Sequence, residues 1–503
     1  MSLRSYTLRD VIHRNASLYG LNTAFVFGTQ RVTHAEYAAR TACLAAGLAA
    51  VGVDKGDRLA ILAPNCLAHV DLLGAAAHLG AIMVPINWRL SAEEIAYVIK
   101  DVSPRVLVVA EELAALLSLH GPGEIQSYTL GSAAAPGRAF SDLYLEHAAP
   151  NDALPGVDDD SDLMLIHTAA VGGRPRGARL SHRGLIAAGM QLQSTFHLTS
   201  TDVNLGVLPL FHVIAHTHML ASQLAGGTTL LLPRFDPHTL GTLINEEKGS
   251  LMGTFPPMLG ALLDAAAEQG TTLASLRAVH GIDAPGTIAR LRTKHPQAVF
   301  WSTYGQTETS SLVSLGTYDE RSGSAGRPTA GNSVRIVDEW DRPLPVGAIG
   351  EITVRGPMVF NGYWNCEADS AFTFRNGWHH TGDLGHLDTE GYLWFSGRLP
   401  TKELIKPGGE NVYPVEVERA ILEHPALAEA VVIGVPDAQW GEAIKALCVL
   451  KKGHAVSTEE LIEFVGTRIA RFKKPKHVVF VEALPHTAAG QPDRDAIKAA
   501  QAV

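Results

Sequence analysis

The sequence predicts an α/β protein in two parts: a large N-terminal domain of βα-layered sheets ending in a small β-barrel, then a small α+β C-terminal lid domain. Three observations carry that prediction. The 503 residues exceed what one ordinary core supports, which asks for a large domain and at least one smaller one. The first half alternates helix-spaced apolar runs with short continuous apolar runs, the pattern of parallel strands covered by helices. Near residue 398 a β-rich, glycine-punctuated stretch gives way to a connector containing Pro400, which places the domains at 1–398 and 399–503 with a hinge about 398–403.

In chain order, 34–52 has helical spacing and stops at Gly52, and 58–63 reads as a buried strand. A helix near 67–80 leads to a strand at 81–87, and a helix at 91–100 to a strand at 105–110. Pro, Gly and Asp fill a linker at 149–162, ahead of the strand 163–167. From 323 to 398, short strands between Pro and Gly turns predict the barrel. Beyond it come a helix at 414–424, strands at 430–435 and 445–450, a helix at 457–470 and a strand at 477–484. Pro414 suits the first position of its helix and Glu416 the first turn.

Composition narrows the class. A net charge of -10 and a pI near 6.1 argue against nucleic acid as a partner. Cys43, Cys66, Cys366 and Cys448 lie far apart without metal-site spacing, which fits a reducing cytoplasm. The N-terminus carries early charges and no apolar signal core. The longest charge-free run, 203–233, is broken by Pro209, three histidines and Gly226-Gly227, so it reads as buried core rather than a membrane span.

Chemistry-bearing residues cluster in a few stretches. Asp383, in a Thr-Gly-Asp turn, offers a carboxylate that can accept two hydroxyl hydrogen bonds, as from a ribose. Residues 168–177, a glycine-rich strand-to-helix loop with Arg174 and Arg176, could cradle phosphate without being a Walker loop. The run Ser302 to Glu308 reads STYGQTE, which alone could be an ordinary polar turn. His212, His216 and His218 have metal-ligand spacing but lack the acidic base of an HExxH helix, so core or pocket histidines are the simpler reading. Phe472 to Lys476, FKKPK, is by composition a solvated basic face.

The order WHHTGD, GYLWFSGR, ELIKPGGENVYPVEVE resembles the domain junction of the acyl-adenylate-forming superfamily, which holds acyl-CoA synthetases, luciferases and peptide-synthetase adenylation domains. The likeness spans nearly the whole chain. It implies that Thr168, Gly173 and Arg176 belong to the phosphate loop, and that His212 in the PLFH element lines the carboxylate pocket. It implies Gly281, Ile282 and Gly305 at the acyl site, Tyr304 on adenine, Thr307 on the α-phosphate and Glu308 on Mg²⁺. Asp383 would hold ribose and Arg398 the junction; Gly408 and Gly409 would border the thiol tunnel, and Trp440, Phe472, Lys474 and Lys476 would approach CoA. Three departures stand out. The phosphate loop has Ala169, Ala170, Val171 and Gly172 where hydroxyls are usual, and Arg176 for lysine. Ile282 and Asp283 make the GGAP-like element bulkier and acidic. Gln491 replaces the lysine that assists adenylation, and losing one such charge costs on the order of a hundredfold in rate.

The resemblance implies an ATP-dependent acid-CoA ligase using ATP, Mg²⁺ and CoA on a small-molecule carboxylic acid, as a cytoplasmic monomer or homodimer. A small-to-medium aliphatic or cyclic acid is expected over a very long chain. The alternative is an impaired member that binds AMP or acyl-CoA, or performs only the thioester half-reaction. Lys402, Lys406 and Lys498 are the cations that could stand in for Gln491.

Overall fold

Local chemistry sets the first elements. Thr33 caps the helix His34–Ala50 in a reciprocal box with Glu36, and Ser91 does the same with Glu94 for Ala92–Val102. The helix Leu67–Leu79 is buried on every face and ends at Gly80 in the left-handed conformation. The computed structural model describes residues 5–117, 125–131, 138–145, 156–168, 175–399, 403–486 and 492–501. Gly173, Gln491 and the connector residues Pro400, Thr401 and Lys402 lie outside them.

Two large sheets result. One has seven strands, ordered Arg138–Ala139, Gln126–Leu130, Val106–Ala110, Arg58–Leu62, Ile82–Pro85, Asp162–Thr168 and Arg176–Ser181, parallel until the last pair. The other has nine, with Val203–Gly206, Leu251–Thr254, Ala278–Gly281 and Val299–Tyr304 parallel at its centre. This is the expected α/β layering. Their apolar faces and covering helices share one core.

Two expectations change in detail. The segment after Thr168 does not pass straight into a helix: Arg176–Ser181 forms a strand antiparallel to Asp162–Thr168, and the helix His182–Thr195 follows. Four of the strand's six residues are buried, and it pairs as the edge strand of the seven-stranded sheet. The stretch expected to close as a barrel forms a four-stranded antiparallel sheet, Ser333–Val337, Gly350–Arg355, His379–Leu387 and Leu393–Arg398, whose first and last strands are its edges.

The small C-terminal domain has helices Pro414–Leu422 and Thr458–Gly466 against the strands Leu427–Asp437, Gly441–Leu450 and His477–Phe480. Its apolar clusters contain only residues from Ile405 onward in number, and those of the larger part none beyond Leu393. Among the described residues no apolar cluster crosses between them. No helix there is long and apolar enough to cross a membrane.

Candidate active site

The parallel strands of the nine-stranded sheet end together at Thr254, Gly281 and Tyr304, held in register by the pairs Thr254 with Gly281 and Gly281 with Ser302. Ligand sites form where such strands end, because the loops that follow diverge. A cavity of about 1190 Å³ opens there, between the strand ends, the four-stranded sheet and the C-terminal domain.

One wall is a hydroxyl and carboxylate network. Tyr304 Oη donates to Asp383 Oδ2 at 2.8 Å, and Gln306 Nε2 donates to the same oxygen at 2.9 Å. Arg398 Nε stands 3.8 Å from Asp383 Oδ1. Burial and the neighbouring Asp383 carboxylate push the Tyr304 hydroxyl well above its ordinary range, so it stays a donor. Its ring stacks on Phe395, centroids 6.3 Å apart.

Beside it, Glu308 Oε1 accepts from Tyr363 Oη at 3.0 Å and from Thr168 Oγ1 at 3.4 Å. No hydrogen bond from a described residue reaches Oε2. A hard-oxygen donor held by its other oxygen fits Mg²⁺. The Arg176 guanidinium lies 4.0 Å over the Tyr363 ring and donates to Asp369 Oδ2 at 2.9 Å. A lysine ammonium could not copy that flat stack. Thr307 lines the cavity on the same turn.

Another wall is apolar, formed by Val207, Val213, Phe255, Met258 and Ile288, with Ile282 51% exposed at its rim. Two glycines here are fixed by backbone packing. A Cβ on Gly305 would lie 2.1 Å from the Ser311 carbonyl oxygen, and one on Gly281, at φ +152, 1.9 Å from that of Thr254. His212 lies on the wall at the start of the helix Val213–Ala225. His216 and His218 turn elsewhere: His216 Nε2 meets the Leu210 carbonyl at 2.6 Å, and His218 Nε2 meets His280 Nδ1 at 2.7 Å. The three do not converge on one ion.

The C-terminal domain closes the cavity with Gly408, Gly409 and Trp440. A Cβ on Gly409 would sit 3.1 Å from the Phe255 ring, and one on Gly408 2.8 Å from the Trp440 ring. Phe472, Lys474 and Lys476 do not line it. Phe472 packs on the C-terminal core, Lys474 pairs with Glu463 at 2.7 Å, and Lys476 with Asp437. Of the described residues on either side of Gln491, His486 bridges to Pro492 and pairs with Glu429 at 3.0 Å, and neither lines the cavity. Of the stand-in cations, Lys406 lines it, whereas Lys498 pairs with Glu403.

Residues 12–364 match the family described as AMP-binding enzyme, and 416–491 match its C-terminal domain. The chain belongs to the AMP-binding enzyme family. An indoleacetate–CoA ligase of Aromatoleum aromaticum is 34% identical over 501 residues, covering 98% of this chain and 97% of that one. A feruloyl-CoA synthase of Amycolatopsis is 34% identical over 484 residues, covering 95% and 96%. The solved o-succinylbenzoate CoA synthetase of Bacillus subtilis, a double mutant bound with a product analogue, superposes with a TM-score of 0.84 at 29% identity over 97% of each chain. At family level, then, the protein is grouped with acid-CoA ligases.

For several further groups of this AMP-binding enzyme's site the sequence shows the residues, two of them inside the family motifs, but not their partners. Glu410, 6% exposed, pairs with Arg89 Nη1 at 2.5 Å and lies 3.5 Å from His212 Nε2. Burial would raise its carboxyl, but His212 and Arg89 outweigh burial and hold it at about 2. Asp341, Glu351 and His380 also gather their polar atoms within 4.8 Å. Arg375 bridges both acids, at 3.4 and 2.9 Å, and already supplies the positive charge a metal would bring. Arg89 is 321 residues from Glu410 and His380 only 29 from Glu351, and in both cases tertiary contact alone shows that the groups meet.

Proposed function

We propose that the protein is an ATP-dependent acid-CoA ligase that activates a carboxylic acid as its acyl-adenylate and passes the acyl group to the CoA thiol. The observation that supports it most is the single cavity joining the Tyr304–Asp383 pair, the Glu308 carboxylate and the Gly408-Gly409 loop. Residues 1–398 form the catalytic body in this reading, and 399–503 a mobile lid turning about 398–403.

In the first step the acid's carboxylate attacks the α-phosphorus of ATP and pyrophosphate leaves. Asp383 accepts the ribose hydroxyls, and Tyr304 presents its ring to adenine. Thr307 donates to the α-phosphate, and His212 holds the acid's carboxylate. Glu308 and Thr168 would hold Mg²⁺, which neutralises phosphate charge when bound. In the second step the thiol sulfur attacks the acyl carbon, AMP leaves as the phosphate–acyl bond breaks, and the thiol proton passes to solvent or base. Gly408 and Gly409 border the thiol's path, with Trp440 at its mouth. ATP and CoA are consumed as substrates, and the cytoplasm is the proposed location.

The apolar acyl wall, together with the cyclic acids named for two relatives, supports a medium-sized cyclic or aryl acid. The test is ATP–pyrophosphate exchange and CoA thioester formation across a panel that includes indoleacetate, ferulate and medium-chain fatty acids, beside Gln491→Lys. Exchange and thioester with any acid are expected. Neither, with any acid, overturns the reading. Activity only in Gln491→Lys would favour the second reading, a scaffold that has lost its adenylation charge; the substitution at Gln491 itself motivates it.

A further inference from the structure

The basic run FKKPK hides a lysine that neither a solvated face nor a CoA phosphate site explains. Lys473 is 3% exposed. Its ammonium lies between two carboxylates from different parts of the molecule: Glu416 Oε1 of the C-terminal domain at 2.6 Å, and Glu94 Oε1 of the larger part in direct contact. The other Glu94 oxygen accepts from the Ala470 backbone amide at 3.1 Å and from that of Ser91 at 2.7 Å. So Glu94 is at once part of its own helix cap and the larger part's half of a buried bridge.

We propose that Glu94 is a positioning residue for thioester formation, holding the C-terminal domain, through Lys473 and the Ala470 amide, in the orientation that sets Gly408 and Gly409 against the cavity. This rests on the ligase reading above. Three features support it. The two parts share no apolar cluster among the described residues, so their relative placement depends on polar contacts such as this one and Arg89–Glu410. In this placement Gly408 and Gly409 face the cavity, while the described residues flanking Gln491 do not line it. The bridge is also built to open. On separation Lys473 keeps Glu416, and Glu94 alone returns to water, so no buried charge is stranded.

The sharpest variant is Glu94→Gln, since glutamine at this position can preserve the helix cap while removing the charge. Two measurements on full-length protein decide it. The first needs no substrate: amide hydrogen exchange should speed up across 467–474, which includes Ala470, and stay unchanged across 414–422 and 427–437. Unchanged exchange at the seam, or a rise throughout the C-terminal domain, overturns the proposal. The second separates the half-reactions, with synthetic indoleacetyl-adenylate and CoA as the probe for thioester formation and indoleacetate-dependent pyrophosphate exchange for adenylation. Thioester formation should fall about tenfold while exchange stays within about twofold, and Lys473→Met should show the same split. Equal losses in both half-reactions overturn it. Silence of the wild-type protein in both half-reactions, across the acid panel, sinks the ligase reading instead, and the exchange experiment still judges the bridge.

Discussion

The core of the larger part and its seam with the C-terminal domain solve the same problem in opposite ways. The core hides its histidines by keeping them neutral: His69, His78, His182 and His218 are each pushed down to about 4 by burial, His216 to about 3, and His280 well below its ordinary value. The seam hides full charges and pairs them, as Arg89 with Glu410 and Lys473 with Glu94. A neutral, close-packed core is expensive to part, because opening it exposes apolar surface. An ionic seam parts cheaply, because water takes back each charge. This contrast is what the proposed ligase reading asks for, one region kept whole and a seam that can open.

The largest test of that contrast is acid. Each imidazole has a folded value below the unfolded 6.5. The stability this represents is therefore complete above 6.5 and lost as pH falls toward the folded value, since only the unfolded chain takes up the proton. Down to pH 5 each costs up to about 2 kcal/mol, and six together up to about 12, comparable with the whole stability of a domain. Melting by circular dichroism should drop steeply between pH 6.5 and 5; a flat profile would mean these rings are not buried neutral.

Next in size, Leu72→Ala in the fully buried helix Leu67–Leu79 should cost about 2–5 kcal/mol in denaturant unfolding. Arg89→Ala at the seam should behave differently. Removing one partner of a trapped ion pair costs about 3–5 kcal/mol, but here Glu410 keeps His212 and the seam can open, so a loss of roughly 1 kcal/mol or less is expected. A loss as large as that of Leu72→Ala would erase the distinction. The smallest effect is that of salt. Raising KCl from about 0.05 to about 0.5 M should change thioester formation by a few-fold while leaving the melting temperature nearly constant, because salt screens the seam's charges once they open into water and the core releases none on that motion.

Much of the site was legible because its residues are neighbours in sequence. Tyr304, Thr307 and Glu308 fall within one turn, and Asp383 sits in a short motif, so the resemblance of these stretches to the family's motifs, rather than residue type and spacing alone, points to a nucleotide. The covering helices were legible for the same reason, since caps and apolar spacing are local. At Gly305 the structure adds a requirement that the sequence does not show: a Cβ there would meet the Ser311 backbone, whatever the ligand.

By itself, the sequence determined the α/β class, the change of regime near 398 and the set of groups that could hold a nucleotide, because periodicity, capping and motif spacing are properties of short stretches of chain. Only the tertiary structure decided which of those groups meet. It set Tyr363 on Glu308, 55 residues away, Glu410 between Arg89 and His212, and Lys473 against Glu94, 379 residues away. A lysine in a polar run looks the same to its neighbours in sequence whether it faces water or a buried carboxylate. The difference is made by desolvation, which depends on everything packed around the charge and hardly at all on the residues beside it.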